Sequence, residues 1–132
     1  MIVDSSAIIA ILNDEPESVT FAVALASASV ARMSAGTLVE LSTVVDGRRD
    51  PVRSAWLDGF LSRSRIEIVD MTADHAKFAR DAHRSYGRGS GHRAHLNFGD
   101  CFSYALAKAT GEPLLFKGDD FGHTDLTPAV PG

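Results

Sequence analysis

A chain of 132 residues, 45% hydrophobic and 23% charged, has the size and composition of one globular domain with a core of its own. Its net charge of −4 argues against a general nucleic-acid coat, and no run approaches the roughly 18 apolar residues of a membrane span. Ala7–Leu12 is too short for a signal segment and follows Asp4 rather than a basic stretch, and Cys101 stands alone. No targeting segment, no export and no internal disulfide are therefore expected, which agrees with a reducing cytoplasm.

In chain order, Met1–Asp4 reads as a short buried strand running directly into a helix from Ser6 to about Asn13, with Ser5 and Ser6 both good N-cap types. Asn13-Asp14-Glu15-Pro16 breaks that helix, and a second runs over about Glu17–Ser27. Val30–Met33 predicts a strand, and Ser34 caps a helix over Ala35–Val45. After the turn Gly47–Pro51, Trp56, Leu57, Phe60 and Leu61 mark the apolar side of a helix over Val52–Ser62. Ile66–Val69 is a strand, Thr72 opens a helix to about Tyr86, and Gly87–Gly91 is a flexible glycine loop. Asn97 caps a helix from Phe98 to about Ala109, which Gly111 and Pro113 terminate. Pro113–Phe116 is a strand, and Leu126 falls in a last short one. Strands alternating with helices imply a single α/β domain over 1–132, with a mostly parallel central sheet flanked by helices on both faces. Ligands of such sheets sit beyond the carboxyl ends of the strands, where Asp4 and Asp119 fall.

Four distant segments set a carboxylate among apolar or small residues: Ile2-Val3-Asp4-Ser5-Ser6, Leu38-Val39-Glu40-Leu41, Asn97-Phe98-Gly99-Asp100-Cys101-Phe102 and Leu114–Phe121, with Asp119 and Asp120. Each has a bland reading. Asp4 and Asp100 can serve helix N-termini, Glu40 can face a surface cation, and the Asp119–Asp120 pair can belong to a polar turn. Jointly they suggest an acidic pocket, with Gly99 leaving room for close approach. Clustered carboxylates repel one another and take up protons unless a cation balances them, and hard ions such as Mg²⁺ and Mn²⁺ prefer oxygen ligands. No Cys/His spacing supports zinc, and Gly87–Gly91 lacks the strand and the Lys-Ser/Thr pair of a phosphate-binding glycine loop. Lys77, Arg80, Arg84, Arg88 and Arg93 form one local cationic segment, opposed only by Asp81. That segment is either a solvated helix face with its loop or a landing strip for phosphates.

The four acidic segments, in order and spacing, resemble a PIN-domain ribonuclease toxin of the VapC type, over nearly the whole chain. The resemblance implies a Mg²⁺- or Mn²⁺-dependent endoribonuclease acting on structured RNA such as tRNA. It assigns Asp4, Glu40, Asp100 and Asp119 to the metal cluster, with Ser6 positioning the first motif. Asp120 competes for the fourth place, and Asp119, one step closer to the strand end, is preferred. The resemblance further implies a homodimer, a cytoplasmic location and a VapB-type antitoxin that packs along the helices, where Ile8–Leu12 and Trp56–Leu61 offer apolar faces. Simple core packing explains those faces equally well. Arg80, Arg84, Arg88 and Arg93 then read as an RNA-contact edge. Two other readings stand beside it. One is a non-catalytic RNA- or partner-binding module with a vestigial acidic site. The other is a phosphatase with Asp4 as nucleophile, although Ser6 occupies the place where that chemistry wants a second acid.

Overall fold

A computed structural model describes residues 1–131. The elements are β1 (Ile2–Val3), α1 (Ser5–Leu12), α2 (Ser18–Ser27), β2 (Ala31–Ser34), α3 (Ala35–Asp46), α4 (Pro51–Arg63), β3 (Ile66–Val69), α5 (Ala73–Tyr86), α6 (Asp100–Thr110) and β4 (Leu114–Leu115). The strands form one sheet in the order β3-β2-β1-β4, and every pairing is parallel. β1 pairs with β2 on one side and with β4 on the other, so the strand order reverses at β1. In a parallel sheet that reversal opens a crevice beyond the carboxyl ends of the strands. Asp4, Ser34 and Phe116 leave β1, β2 and β4 at this edge.

Side chains alternate across the pleat and divide the core in two. Val3, Ala31, Met33 and Leu115 face α1–α4 and pack with Ala7, Ile8, Phe21, Leu41, Val45 and Leu57. Ile2 and Leu114 point the other way, into α5 and α6, with Ala82, Leu96, Tyr104, Leu106 and Phe121. The apolar faces of Ile8–Leu12 and Trp56–Leu61 are largely spent on the first of these layers: Ile8, Ala10 and Leu57 are buried, and Trp56 stacks on Phe60 with centroids 5.0 Å apart. Among the described residues no helix is long and apolar enough to cross a membrane.

Three local expectations need correction. Asp4, rather than Ser5 or Ser6, caps α1, accepting the Ser6 backbone N–H at 3.1 Å. The regular part of α6 begins at Asp100, because Asn97 and Asp100 close a reciprocal pair of side-chain–backbone bonds around the turn before it. Leu126 lies in no strand. There the chain makes an isolated parallel bridge, Leu114 with Pro128, in which Leu114 N donates to Thr127 O at 2.9 Å and Ala129 N to Leu114 O at 2.8 Å. The expected glycine loop leaves and rejoins the domain through backbone bonds at its base: Arg88 N donates to Leu96 O at 3.0 Å and Leu96 N to Tyr86 O at 2.9 Å, with Ala94 and Leu96 fully buried.

Candidate active site

Asp4 is 2% exposed, yet every bond to its carboxylate comes from a hydroxyl or an amide. Oδ2 accepts from Ser6 Oγ at 2.7 Å and from Ser6 N at 3.1 Å, and Oδ1 accepts from Ser103 Oγ at 2.5 Å. Ser103 Oγ also lies 3.1 Å from Thr37 Oγ1, so a buried chain of hydroxyls runs from α3 through α6 to the end of β1. Ser6 ties the same point to the loop after β4, because Lys117 N donates to Ser6 Oγ at 3.0 Å. Two strand ends adjacent in the sheet are thereby fastened around one carboxylate.

Glu40 comes from the middle of α3, where no helix terminus explains it. Ser5 Oγ donates to Oε1 at 2.7 Å. The carboxylate lies directly against Gly99: a Cβ built there would fall 1.3 Å from Glu40 Oε2 and 2.2 Å from Cδ. Glycine at 99 is thus a requirement of close approach, as the sequence suggested, and not of an unusual backbone. Burial raises the Glu40 pKa, the Ser5 bond opposes the rise, and the Asp4 charge adds to it.

Asp100 is held by the box at the start of α6, with Asn97 N donating to Oδ2 and Asp100 N to Asn97 Oδ1, each at 2.9 Å. Its pKa is pushed up to about 7. Burial is the main cause, the Asn97 amide works against it, and the charges of Asp4, Glu40 and Asp120 reinforce it. The fold therefore brings Asp4, Glu40, Asp100 and Asp120 into one electrostatic neighbourhood. Asp119 lines a groove with Glu17, Thr20, Lys117 and His123.

Nothing cationic from the protein offsets this charge. Among the described residues no Lys, Arg or His nitrogen lies within 4.0 Å of Asp4, Glu40, Asp100 or Asp120. Lys117, the nearest lysine in sequence, is drawn away to Glu15 at 2.7 Å and Glu17 at 3.4 Å. An all-oxygen, uncompensated donor set suits a hard divalent cation. The set is not closed into a cage, for no three His, Cys, Asp or Glu side chains among the described residues converge to metal-holding distance. Arg80, Arg84, Arg88 and Arg93 are all exposed, on α5 and the loop after it, and none pairs with a carboxylate among the described residues.

Ser103 and Ser5 escaped the sequence reading as site residues. The available signal was spacing. Ser103 stands three residues after Asp100 and Thr37 three before Glu40, which places small hydroxyls on the same helix faces as the acids.

A family model described as PIN domain matches residues 1–126. The chain is similar to Ribonuclease VapC28 of Mycobacterium tuberculosis, 52% identical over 130 residues that cover 98% of each chain. It is also similar to Ribonuclease VapC30 of that species, 46% identical over 132 residues, 99% of this chain and 100% of the other. Among solved structures, M. tuberculosis VapC20, described as a sarcin-ricin loop cleaving toxin, matches with a TM-score of 0.77 at 20% identity over 98% of both chains. VapBC2 from Rickettsia felis, bound to a DNA fragment from its promoter, matches with a TM-score of 0.70 at 20% identity, over 92% of this chain and 89% of that one. At such identities the structural likeness shows the fold.

Proposed function

We propose that this chain, which belongs to the PIN-domain family and to its VapC ribonuclease branch, is the toxin of a toxin–antitoxin pair and hydrolyses RNA phosphodiester bonds. The observation that carries the reading is the buried, hydroxyl-held Asp4 facing Glu40 and Asp100 with no protein cation to balance them. Asp4, Glu40 and Asp100 would hold Mg²⁺ or Mn²⁺, with the fourth place going to Asp120, whose charge bears on Asp100, ahead of Asp119. Such a cation, when bound, supplies Lewis-acid charge at the scissile phosphate and makes water a better nucleophile.

The protein's own part is preorganisation. Ser6 and Ser103 fix both oxygens of Asp4, Ser5 fixes Oε1 of Glu40, and Asn97 fixes Oδ2 of Asp100. The carboxylates therefore need little reorganisation when the reaction begins. Arg80, Arg84, Arg88 and Arg93 meet RNA phosphates, as their exposure and their lack of ion pairs among the described residues allow. The substrate is structured RNA, with tRNA the first candidate. The chain acts in the cytoplasm as a homodimer and is silenced by a VapB-type antitoxin. Solved neighbours include a toxin–antitoxin complex from Klebsiella pneumoniae, and exposed Val19 and Val23, one turn apart on α2, suit an apolar partner segment.

Cleavage of a labelled total-tRNA pool, with Mg²⁺ or Mn²⁺ and with EDTA, tests this. Discrete fragments are expected that require both metal and Asp4. Asp4→Asn should lose ~1,000-fold in rate, the equivalent of several kcal/mol of transition-state stabilisation. Asp120→Asn should cost more than Asp119→Asn. RNA binding without cleavage in any form would favour the non-catalytic module.

A further inference from the structure

We propose that Phe98 is a stacking platform for an unpaired nucleobase next to the scissile phosphate, and that the groove beside it is a base subsite. The proposal rests on the ribonuclease reading above. At 79% exposure, Phe98 is the most exposed large apolar side chain among the described residues, and it belongs to neither core layer. Folding gives no reason for an aromatic ring there.

Its placement is nevertheless firm. Phe98 lies inside the Asn97–Asp100 box, and its carbonyl accepts the Cys101 N–H at 3.3 Å. The ring meets Phe102 edge to face, with centroids 5.0 Å apart and planes at 78°, and an aromatic face remains open to solvent. Phe102 lies flat on Gly36, where a Cβ would come within 2.8 Å of its ring carbons. This close approach of α3 and α6 shapes a groove of about 560 Å³ floored by Val39, Met71 and Phe102.

Glu40 and Gly99 line the same groove, so the apolar surface is continuous with the carboxylate site. The segment just before Asn97 carries the exposed Arg88, Arg93 and His95. An open aromatic face whose groove ends at the acids that would act on a phosphate, with exposed cations for the backbone on the chain segment leading into it, is the combination that binds single-stranded nucleic acid. Those features favour a base over an apolar peptide as the occupant.

Short single-stranded oligoribonucleotides carrying one 2-aminopurine, mixed with the full-length protein in Ca²⁺ buffer, test the proposal by anisotropy and fluorescence quenching. The native chain and Phe98→Trp should bind and quench the probe. Phe98→Ala and Phe98→Leu should lose the quench and bind about tenfold more weakly, or worse, while binding of a duplex of the same sequence stays unchanged. Binding without quenching, full affinity in Phe98→Leu, or an equal loss with the duplex overturns the stacking role. Loss of self-association or of antitoxin binding in Phe98→Ala, with RNA affinity intact, also overturns it and makes the groove a protein interface. Metal-dependent cleavage of total RNA, run alongside, separates the two levels. Cleavage by the native chain without probe stacking ends this proposal alone; absence of cleavage ends the ribonuclease reading with it.

Discussion

Asp4, Glu40 and Asp100 are each gripped by a hydroxyl or an amide, whereas Arg80, Arg84, Arg88 and Arg93 project from α5 and its loop and touch no carboxylate among the described residues. Both regions carry charge, yet they are built for different tasks. A group that acts on a reacting atom must hold its place before the substrate arrives, so the fold invests buried hydrogen bonds in it. A surface that gathers phosphates works at longer range and tolerates mobile side chains. Changes to the acidic region should therefore alter rate, and changes to the cationic region should alter association and its salt dependence.

The largest effect short of removing a carboxylate is expected from Gly99→Ala. The new methyl group would land on Glu40 Oε2, although the backbone at 99 (φ −64°, ψ −37°) suits alanine. Misplacing a reacting group by about 1 Å can cost 10²-fold, so RNA cleavage should fall by about that factor with helix content retained. Circular dichroism and initial rates check it, and an undiminished rate would show that Glu40 has no fixed part in the site.

Ser103→Ala should act at one remove. It strips a bond from Asp4 Oδ1 and a neighbour from Thr37 Oγ1 in a fully buried position. Urea unfolding should show a loss of about 1–3 kcal/mol, and cleavage should drop about tenfold, as for other groups that orient a metal ligand. A stability loss with no change in rate would confine Ser103 to the core.

A third test uses pH. Asp100 binds its proton more tightly folded than unfolded, because its pKa rises from 3.8 to about 7. Its contribution to stability is therefore complete below 3.8 and is lost as pH climbs through about 7. In EDTA, the melting temperature of the native chain should decline over that interval more than that of Asp100→Asn, and Mn²⁺ should flatten the decline. Parallel curves for the two chains would contradict the burial and crowding assigned to Asp100.

The smallest effect on the chemistry is expected from Arg88→Gln with Arg93→Gln. RNA binding should weaken uniformly across sequences, with the salt slope falling by about 0.7 for each single-strand phosphate that an arginine no longer neutralises. The maximal cleavage rate should hold, and stability should stay within about 0.5 kcal/mol. A lower maximal rate at saturating RNA would place these arginines in the reaction rather than at its edge.

How far the sequence revealed this division depended on what each residue competes with. Glu40 stood out because it lies mid-helix between Val39 and Leu41, where no cap explains it, and Asp4 and Asp100, each of which a helix N-terminus could explain, drew notice by occurring with it among apolar neighbours. The parallel sheet and the six helices followed from alternation and caps. Ser103 and Ser5 were opaque, since a serine in a helix looks the same whether it bonds its own backbone, water or a distant carboxylate. Asp119 was preferred to Asp120 only for its nearness to the strand end, because their directions depend on the turn after β4, where Gly118 takes φ +100°. The last strand failed because the pairing with β4 falls at Pro128, two residues past Leu126, and amounts to a single bridge.

Calorimetric titration of Mn²⁺ into the metal-stripped full-length chain and its Asp4→Asn and Asp100→Asn variants tests most directly whether the clustered carboxylates form one cation site. Saturable binding by the native chain is expected, lost in both variants while near-ultraviolet circular dichroism shows the fold intact. Equal Mn²⁺ affinity in all three would contradict the account.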